Sequence, residues 1–351
     1  MSKALVVSGG GSKGAYAVGV LNYLKANRPA YFSQGQFTFG SYWGTSTGAL
    51  VVPLAATGDL AMLNAFYSGQ QTAGLLVMHD ALRLLQTGFL FNSAGLDGLI
   101  DRVFDANRFA ILLAGGRQVG LAAVCLQTGE LRVFSTRPLP ANRPHYTTQQ
   151  LTTRADLIDA IRASVHQPFF FQPVRFRSDA GPQPRHYVDG GVREYAPIQA
   201  ALDAGATDVV AVLLSPAEPE AAPGLNPSNL IGVLERTIDI FTNDVGLNDV
   251  RVPDLLSRGA AYVQALRGRL SAAGLSPAQI SAVLDPGNPF AGRPASQIHI
   301  IRPQTPLGGG PGGLRFEPAE MQAMVRRGEA DAAAYFQRVD QNSGVPPDVL
   351  V

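Results

Sequence analysis

A single cysteine, Cys125, stands in a chain of 351 residues. No intrachain disulfide can form, so nothing in the sulfur chemistry points to an oxidising compartment. Cys125 lies in the apolar run Gly-Leu-Ala-Ala-Val-Cys-Leu and reads as a core residue. Acidic side chains are missing from the first 58 positions, which carry Lys3, Lys13, Lys25 and Arg28. That gap is either a by-product of an apolar segment or the mark of a site that tolerates an anionic substrate. No stretch approaches the about 18 apolar residues of a spanning helix. The first apolar run breaks at Gly9, too early for a signal-peptide core. The expectation is a cytoplasmic protein or one in peripheral contact with a membrane, with leaderless export left open. Net charge is only +1, which gives no field that would call for nucleic acid. The five histidines are scattered and no Asp-rich calcium loop occurs, so neither metal nor cofactor is expected, and activity should survive chelation.

Apolar residues make up 46% of the chain, ample for a large core. Residues 4–8 read as a short buried strand that runs into Gly9-Gly10-Gly11, with a helical pattern from about Lys13. Residues 37–44 and 47–56 repeat the order strand, tight turn, helix, which predicts an α/β fold with a mainly parallel sheet. Residues 70–104 read as apolar and largely helical, and 119–126 with 131–135 as a hairpin through Thr128-Gly129. A helix over 151–164, a strand over 186–188, a helix over 197–204 and a buried strand over 208–214 follow. The Pro/Ala/Glu-rich stretch 215–228 reads as a loop leading to a helical insertion at about 229–284. A strand over 297–301 comes next. The C-terminal part, 303–351, reads as a glycine-rich loop and a closing helix with Met321, Val325, Ala332, Tyr335, Phe336 and Val339 on one face. There is no internal repeat, and a single domain over 1–351 is expected.

Three motifs carry chemistry. Gly44-Thr45-Ser46-Thr47-Gly48 is a G-x-S-x-G match between a predicted strand and helix. A serine on such a turn projects its hydroxyl above the sheet, at a helix N-terminus that favours a developing alkoxide. Gly9-Gly10-Gly11-Ser12-Lys13-Gly14 also fits a dinucleotide fingerprint, but that site wants an acid about 20 residues on, and the first acid is Asp59. A phosphate-binding P-loop fails as well, because Ala15 follows Gly14. What remains is a nest of backbone N–H groups, an oxyanion hole if it lies beside a nucleophile, or a glycine turn packed close to the sheet. Asp189-Gly190-Gly191 is by itself a turn signature, and it gains weight because Ser46 needs a base. His186 is three residues earlier on a predicted strand and so points to the other face. His166 is the more credible rival base.

In order and spacing, these three motifs resemble the patatin-like phospholipase family. Arg162-Ala163-Ser164, leading to Phe171-Gln172-Pro173-Val174, and residues 316–330 are similar to further family segments. The resemblance implies a three-layer α/β/α patatin-like fold and a lipid acyl hydrolase of phospholipase A or lysophospholipase type. It implies Ser46 as nucleophile, Asp189 as its base and an acyl-serine intermediate. Amides of Gly9, Gly10, Gly11 and Ser12, those of Gly10 and Gly11 foremost, would form the oxyanion hole, with Lys13, Gly14, Gly44, Gly48, Gly190 and Gly191 in support. The substrate would be a phospholipid or another acyl-ester lipid. Lys13 stands where Arg is commoner, Val192–Pro197 departs from the usual Asn-rich stretch, and His166 stands where a small apolar residue is usual. An acyltransferase with the same pair, or a non-catalytic binding protein on this fold, are the other readings. The apolar segment 74–99, with Phe89 and Phe91, is read as lining of the acyl-chain site, with ordinary core helices as the alternative.

Overall fold

A computed structural model describes residues 2–139, 145–178, 184–218, 221, 224, 226–342, 344 and 346. Parts of two predicted segments, residues 219, 220, 222, 223 and 225 of the loop and 343, 345 and 347–351 of the C-terminal part, lie outside the described residues.

The principal elements, in chain order, begin with β1 (Lys3–Val7), α1 (Gly14–Asn27), β2 (Ser41–Thr45), α2 (Thr47–Ala56), α3 (Leu60–Gly69) and α4 (Ala94–Val103). Then come β3 (Gln118–Cys125), β4 (Leu131–Ser135), β5 (Thr147–Gln150), α5 (Arg154–Val165), β6 (Val174–Arg175) and β7 (His186–Asp189). The chain continues with α6 (Ile198–Asp203), β8 (Asp208–Val212), α7 (Leu230–Ala272), α8 (Pro277–Leu284), β9 (Gln297–Ile301) and α9 (Pro318–Gln341). The predicted elements are recovered with shifted ends. The exception is 70–104, which is broken into short helices around a small pair of strands, Val77–Met78 and Phe91–Asn92.

The central sheet is mainly parallel. β1 lies between β2 and β8, β8 continues to β9, and β2 pairs with β3, all in parallel. The hairpin partner β4 and the strand β7 are antiparallel to β3. Alternation along β1 divides the core: Leu5 and Val7 pack with α1, α2, α5 and α9, whereas Ala4 and Val6 pack with Trp43 and with Ile198 and Ala201 of α6. The result is three layers, helix, sheet, helix.

The register around β3 decides the rest. β2 pairs with its first half, from Ser41 opposite Gln118 to Thr45 opposite Ala122. β7 pairs with its second half, from Asp189 opposite Ala123 to Tyr187 opposite Cys125. β4 occupies one edge of β3 over Gly120–Val124. A strand has two edges, so β2 and β7 share the other and meet end to end. Ser46 leaves the end of β2, and Asp189 is the end of β7.

The 43-residue α7 carries Pro253 in its interior. Among the described residues no helix is long and apolar enough to cross a membrane. α1 is buried on all sides through its first two turns, between the sheet and α9. The two helices touch backbone to backbone: a Cβ at Gly19 would lie 2.0 Å from the Val325 carbonyl, and one at Gly328 would lie 2.1 Å from the Tyr16 carbonyl. Gly328→Ala should therefore destabilise the protein by about 1–3 kcal/mol through overpacking. Gly268→Ala, on an open face of α7 where nothing lies within 4 Å, should raise stability by about 0.5–1 kcal/mol. Chemical denaturation of the two variants checks this, and equal stabilities would contradict the helix contact.

Candidate active site

The end-to-end meeting of β2 and β7 brings two buried polar side chains together, Ser46 and Asp189, each 4% exposed. Ser46 is the residue before α2 and has φ 54°, ψ −124°, a conformation that ordinary side chains rarely adopt. Two bonds hold it there. Its N–H donates to Ser164 Oγ at 2.9 Å, and the Ser164 hydroxyl donates to the Ala122 carbonyl of β3 at 2.7 Å. Flanking glycines are required by contact: a Cβ on Gly48 would lie 2.1 Å from the Val7 carbonyl.

Ser46 lies against the Asp189 carboxylate and lowers its proton affinity. Asp189 Oδ1 also accepts the Gly191 N–H at 2.8 Å, and the Asp189 N–H donates to the His166 carbonyl at 2.9 Å. Gly190 lies flat on β3, where a Cβ would meet the Ala122 carbonyl at 2.5 Å. Burial pushes the Asp189 carboxyl up to about 6, against the opposing pull of Ser46, the Gly191 N–H and His166.

The glycine loop lies alongside. Gly10 and Gly11 have φ 148° and 58°, open to glycine. The Gly9 N–H is committed to the Tyr195 carbonyl at 3.1 Å, and the Lys13 N–H to the Gly10 carbonyl at 3.1 Å. Among the described residues the Gly10 and Gly11 N–H groups have no acceptor. Ser12 is fully buried with its hydroxyl unpaired. The C-terminal glycine loop lies on this one: a Cβ on Gly11 would fall 2.2 Å from the Gly313 carbonyl.

A cavity of about 640 Å³ opens above Ser46, Asp189, Gly9 and Gly10. Its apolar wall comes from Leu126, Phe169, Val192, Ile238, Phe241 and Leu307. Lys13, Arg236, Glu218 and Asp239 also border it and give a rim of both signs. Phe169, 56% exposed, is held at φ 70°. Phe89 and Phe91 do not line this cavity. Phe91 packs against Phe170 and Phe171, at centroid distances of 6.2 and 5.9 Å, so its apolar surface is spent on the protein's own core.

Of the rival bases, His186 pairs with the Gln127 side chain at 2.9 Å, three residues along β7 from Asp189. His166 is buried, with Nδ1 2.8 Å from the Gln172 carbonyl and Nε2 3.2 Å from Asp97 Oδ1. Neither ring is directed to Ser46. Sequence reading missed Ser164 as the anchor of the Ser46 turn, and it missed Asp249. The Asp249 carboxylate, on α7, accepts the Tyr195 and Ala196 N–H groups at 2.6 and 3.0 Å and ties the long helix to the segment after Gly191. Asp249 lies 54 positions from Tyr195, beyond the reach of any local pattern.

The chain is similar to several known proteins. The uncharacterized protein YjjU of Escherichia coli (strain K12) is 28% identical over 225 residues, which is 61% of this chain and 52% of that protein. A cUMP-AMP-activated phospholipase of Escherichia coli is 27% identical over 191 residues, 54% of each chain. The chain thus spans about half the length of the curated relatives it matches. VipD from Legionella pneumophila aligns structurally over 97% of this chain and 67% of its own, with TM-score 0.44 and 13% identity. The model of the family described as patatin-like phospholipase matches residues 5–202, more than half of the chain, and the protein belongs to that family.

Proposed function

We propose that this protein is a lipid acyl hydrolase of the phospholipase A or lysophospholipase type, with Ser46 as nucleophile and Asp189 as its base. The observation that carries the reading is the buried pair Ser46 and Asp189, brought together by the strand register at the floor of an apolar cavity, with the Gly10 and Gly11 N–H groups beside it. In the reaction, Ser46 Oγ forms a bond to the ester carbonyl carbon as its proton passes to Asp189. The carbonyl oxygen takes up the negative charge and is held by the two amides and by the N-terminus of α2. The C–O bond to the alcohol then breaks, and the departing oxygen takes the proton from Asp189. Water attacks the acyl-serine, gives its proton to Asp189, and the carboxylic acid leaves as Ser46 recovers its hydrogen.

A carboxylate near its ordinary value, about 4, is a weak base at neutral pH. Burial of Asp189 brings it up to about 6, closer to the working range. The protonated form cannot accept the Ser46 proton, so the sign follows: kcat/KM should fall as pH drops through about 6. A pH profile on a soluble ester checks this, and a flat profile between pH 5 and 8 would argue against Asp189 as the base.

Ser46→Ala should lose ester hydrolysis by about 10³-fold or more while keeping its fold, and Asp189→Asn should match it. A fluorophosphonate should label Ser46 and no other serine. Labelling that persists in Ser46→Ala would remove the nucleophile assignment.

The exposed rings of Phe169 and Phe241 support an acyl chain running out along the wall. Each buried methylene contributes about 0.8 kcal/mol, so the double variant Phe169→Ser/Phe241→Ser should reduce kcat/KM on long-chain esters about tenfold more than on short-chain ones. Equal losses on both would separate these residues from chain binding.

A further inference from the structure

The segment that closes α5 touches every part of the site. Ser164 Oγ accepts the Ser46 N–H at 2.9 Å, and the His166 carbonyl accepts the Asp189 N–H at 2.9 Å. One residue on, the Gln167 side chain reaches the C-terminal glycine loop: its Nε2 donates to the Gly312 carbonyl at 3.1 Å. A carbonyl only accepts, so the nitrogen of the amide is the atom that faces it. The Gln167 backbone is fixed in the same turn. Its N–H donates to the Val165 carbonyl at 3.1 Å, and its own carbonyl accepts the Phe171 N–H at 3.1 Å. Its Oε1 is buried with no partner among the described residues. An apolar side chain of that length would fill the space without an unmet acceptor, so packing alone does not call for a glutamine here.

What Gln167 holds lies against the amide loop. A Cβ on Gly313 would fall 2.1 Å from the Gly10 carbonyl oxygen, and one on Gly309 would fall 2.4 Å from Ser12 Oγ. The Gly10 carbonyl and the Gly11 N–H are the two ends of one planar peptide unit, so a contact on the first sets the direction of the second. With glycine on both sides of that unit, no Cβ resists its rotation. The restraint has to come from outside: from the Lys13 N–H, 3.1 Å from the Gly10 carbonyl, and from Gly313 pressed on the same oxygen. We propose that Gln167 is a positioning residue for the oxyanion donors. By holding Gly312 it keeps Gly313 on the Gly10 carbonyl, and so fixes the direction of the Gly11 N–H. The inference rests on the Ser46–Asp189 reading with the Gly10 and Gly11 amides as oxyanion donors. Residues 164–167 then register nucleophile, base and oxyanion donors to one another, through Ser164, His166 and Gln167 in turn.

Gln167 also borders the cavity, so a direct hold on the substrate is the alternative to separate. Gln167→Met keeps the length of the side chain and removes the donor. In this variant, hydrogen exchange of the full chain read by mass spectrometry should speed up about threefold or more in peptides covering residues 9–14 and 309–313. On a p-nitrophenyl ester of butyric acid, kcat should fall about tenfold or more with KM within about twofold, because the loss falls on the transition state. Affinity for an alkyl trifluoromethyl ketone, which Ser46 would convert to a tetrahedral oxyanion, should fall by the same factor as kcat/KM. Gly312→Ala is the second variant. Its Cβ would lie 3.0 Å from Gln167 Oε1 at φ 59°, so it should loosen the same bond and give the same signature. Unchanged exchange at residues 9–14, or a kcat that does not fall, would overturn the proposal. Ser46→Ala separates the two failures: if it hydrolyses the ester as well as the parent chain, the hydrolase reading falls, and the exchange result alone decides whether Gln167 holds the amide loop.

Discussion

Everything at this site depends on one shared edge. β3 is long enough to pair with β2 along its first half and with β7 along its second, on the same side, because β4 occupies the other. The parallel strand and the antiparallel strand run toward each other and stop one residue apart, at Ala122 and Ala123. Backbone pairing is strong and directional, so this junction fixes two side chains that lie more than a hundred positions apart in the chain. Ser164 ties the junction together, since it binds the Ser46 amide and the Ala122 carbonyl at once. A slip of one residue in either pairing would turn Ser46 or Asp189 to the wrong face of the sheet.

The same junction sets the electrostatics. A carboxylate at a sheet interior is desolvated, which raises its proton affinity and makes it a better base. Taken too far, burial would leave it protonated and useless. The balance here is struck at short range by Ser46 and the Gly191 amide. Nearby, the Gly9 amide is occupied by Tyr195, and Tyr195 is in turn held by Asp249 of α7. The geometry of the glycine loop is thus linked to a helix that lies beyond the segment matched by the family model, 5–202. That helix also supplies Ile238 and Phe241 to the cavity wall. Of the named wall residues, Ile238, Phe241 and Leu307 lie beyond the segment matched by the family model.

Much of this was legible in the sequence. Ser46 stood out because Gly44 and Gly48 flank it, and Asp189 because Gly190 and Gly191 follow it; such glycines mark a crowded backbone, and crowding is what a strand end at a close junction creates. The layer order followed from short apolar strands alternating with helical periods. Other features left no local mark. Tyr195 and Asp249 meet only through folding, and the contacts of the His166 ring with Asp97 and the Gln172 carbonyl depend on how α4 packs on α5. For the segment 74–99 the sequence left two readings open, because apolarity alone does not say what a side chain will touch. Phe91 is covered by Phe170 and Phe171, while the cavity drew its wall from single residues on many separate elements.

The contact between Gly11 and Gly313 joins two turns about 300 positions apart. During synthesis the loop that carries the Gly10 and Gly11 amides emerges early, but its covering segment leaves the ribosome about 300 residues later, roughly 15 to 60 seconds at ordinary elongation rates. Over the same interval the packing partner of α1, which is α9, does not yet exist. A growing chain therefore carries the Ser46 turn long before the neighbouring glycine loop has its final support.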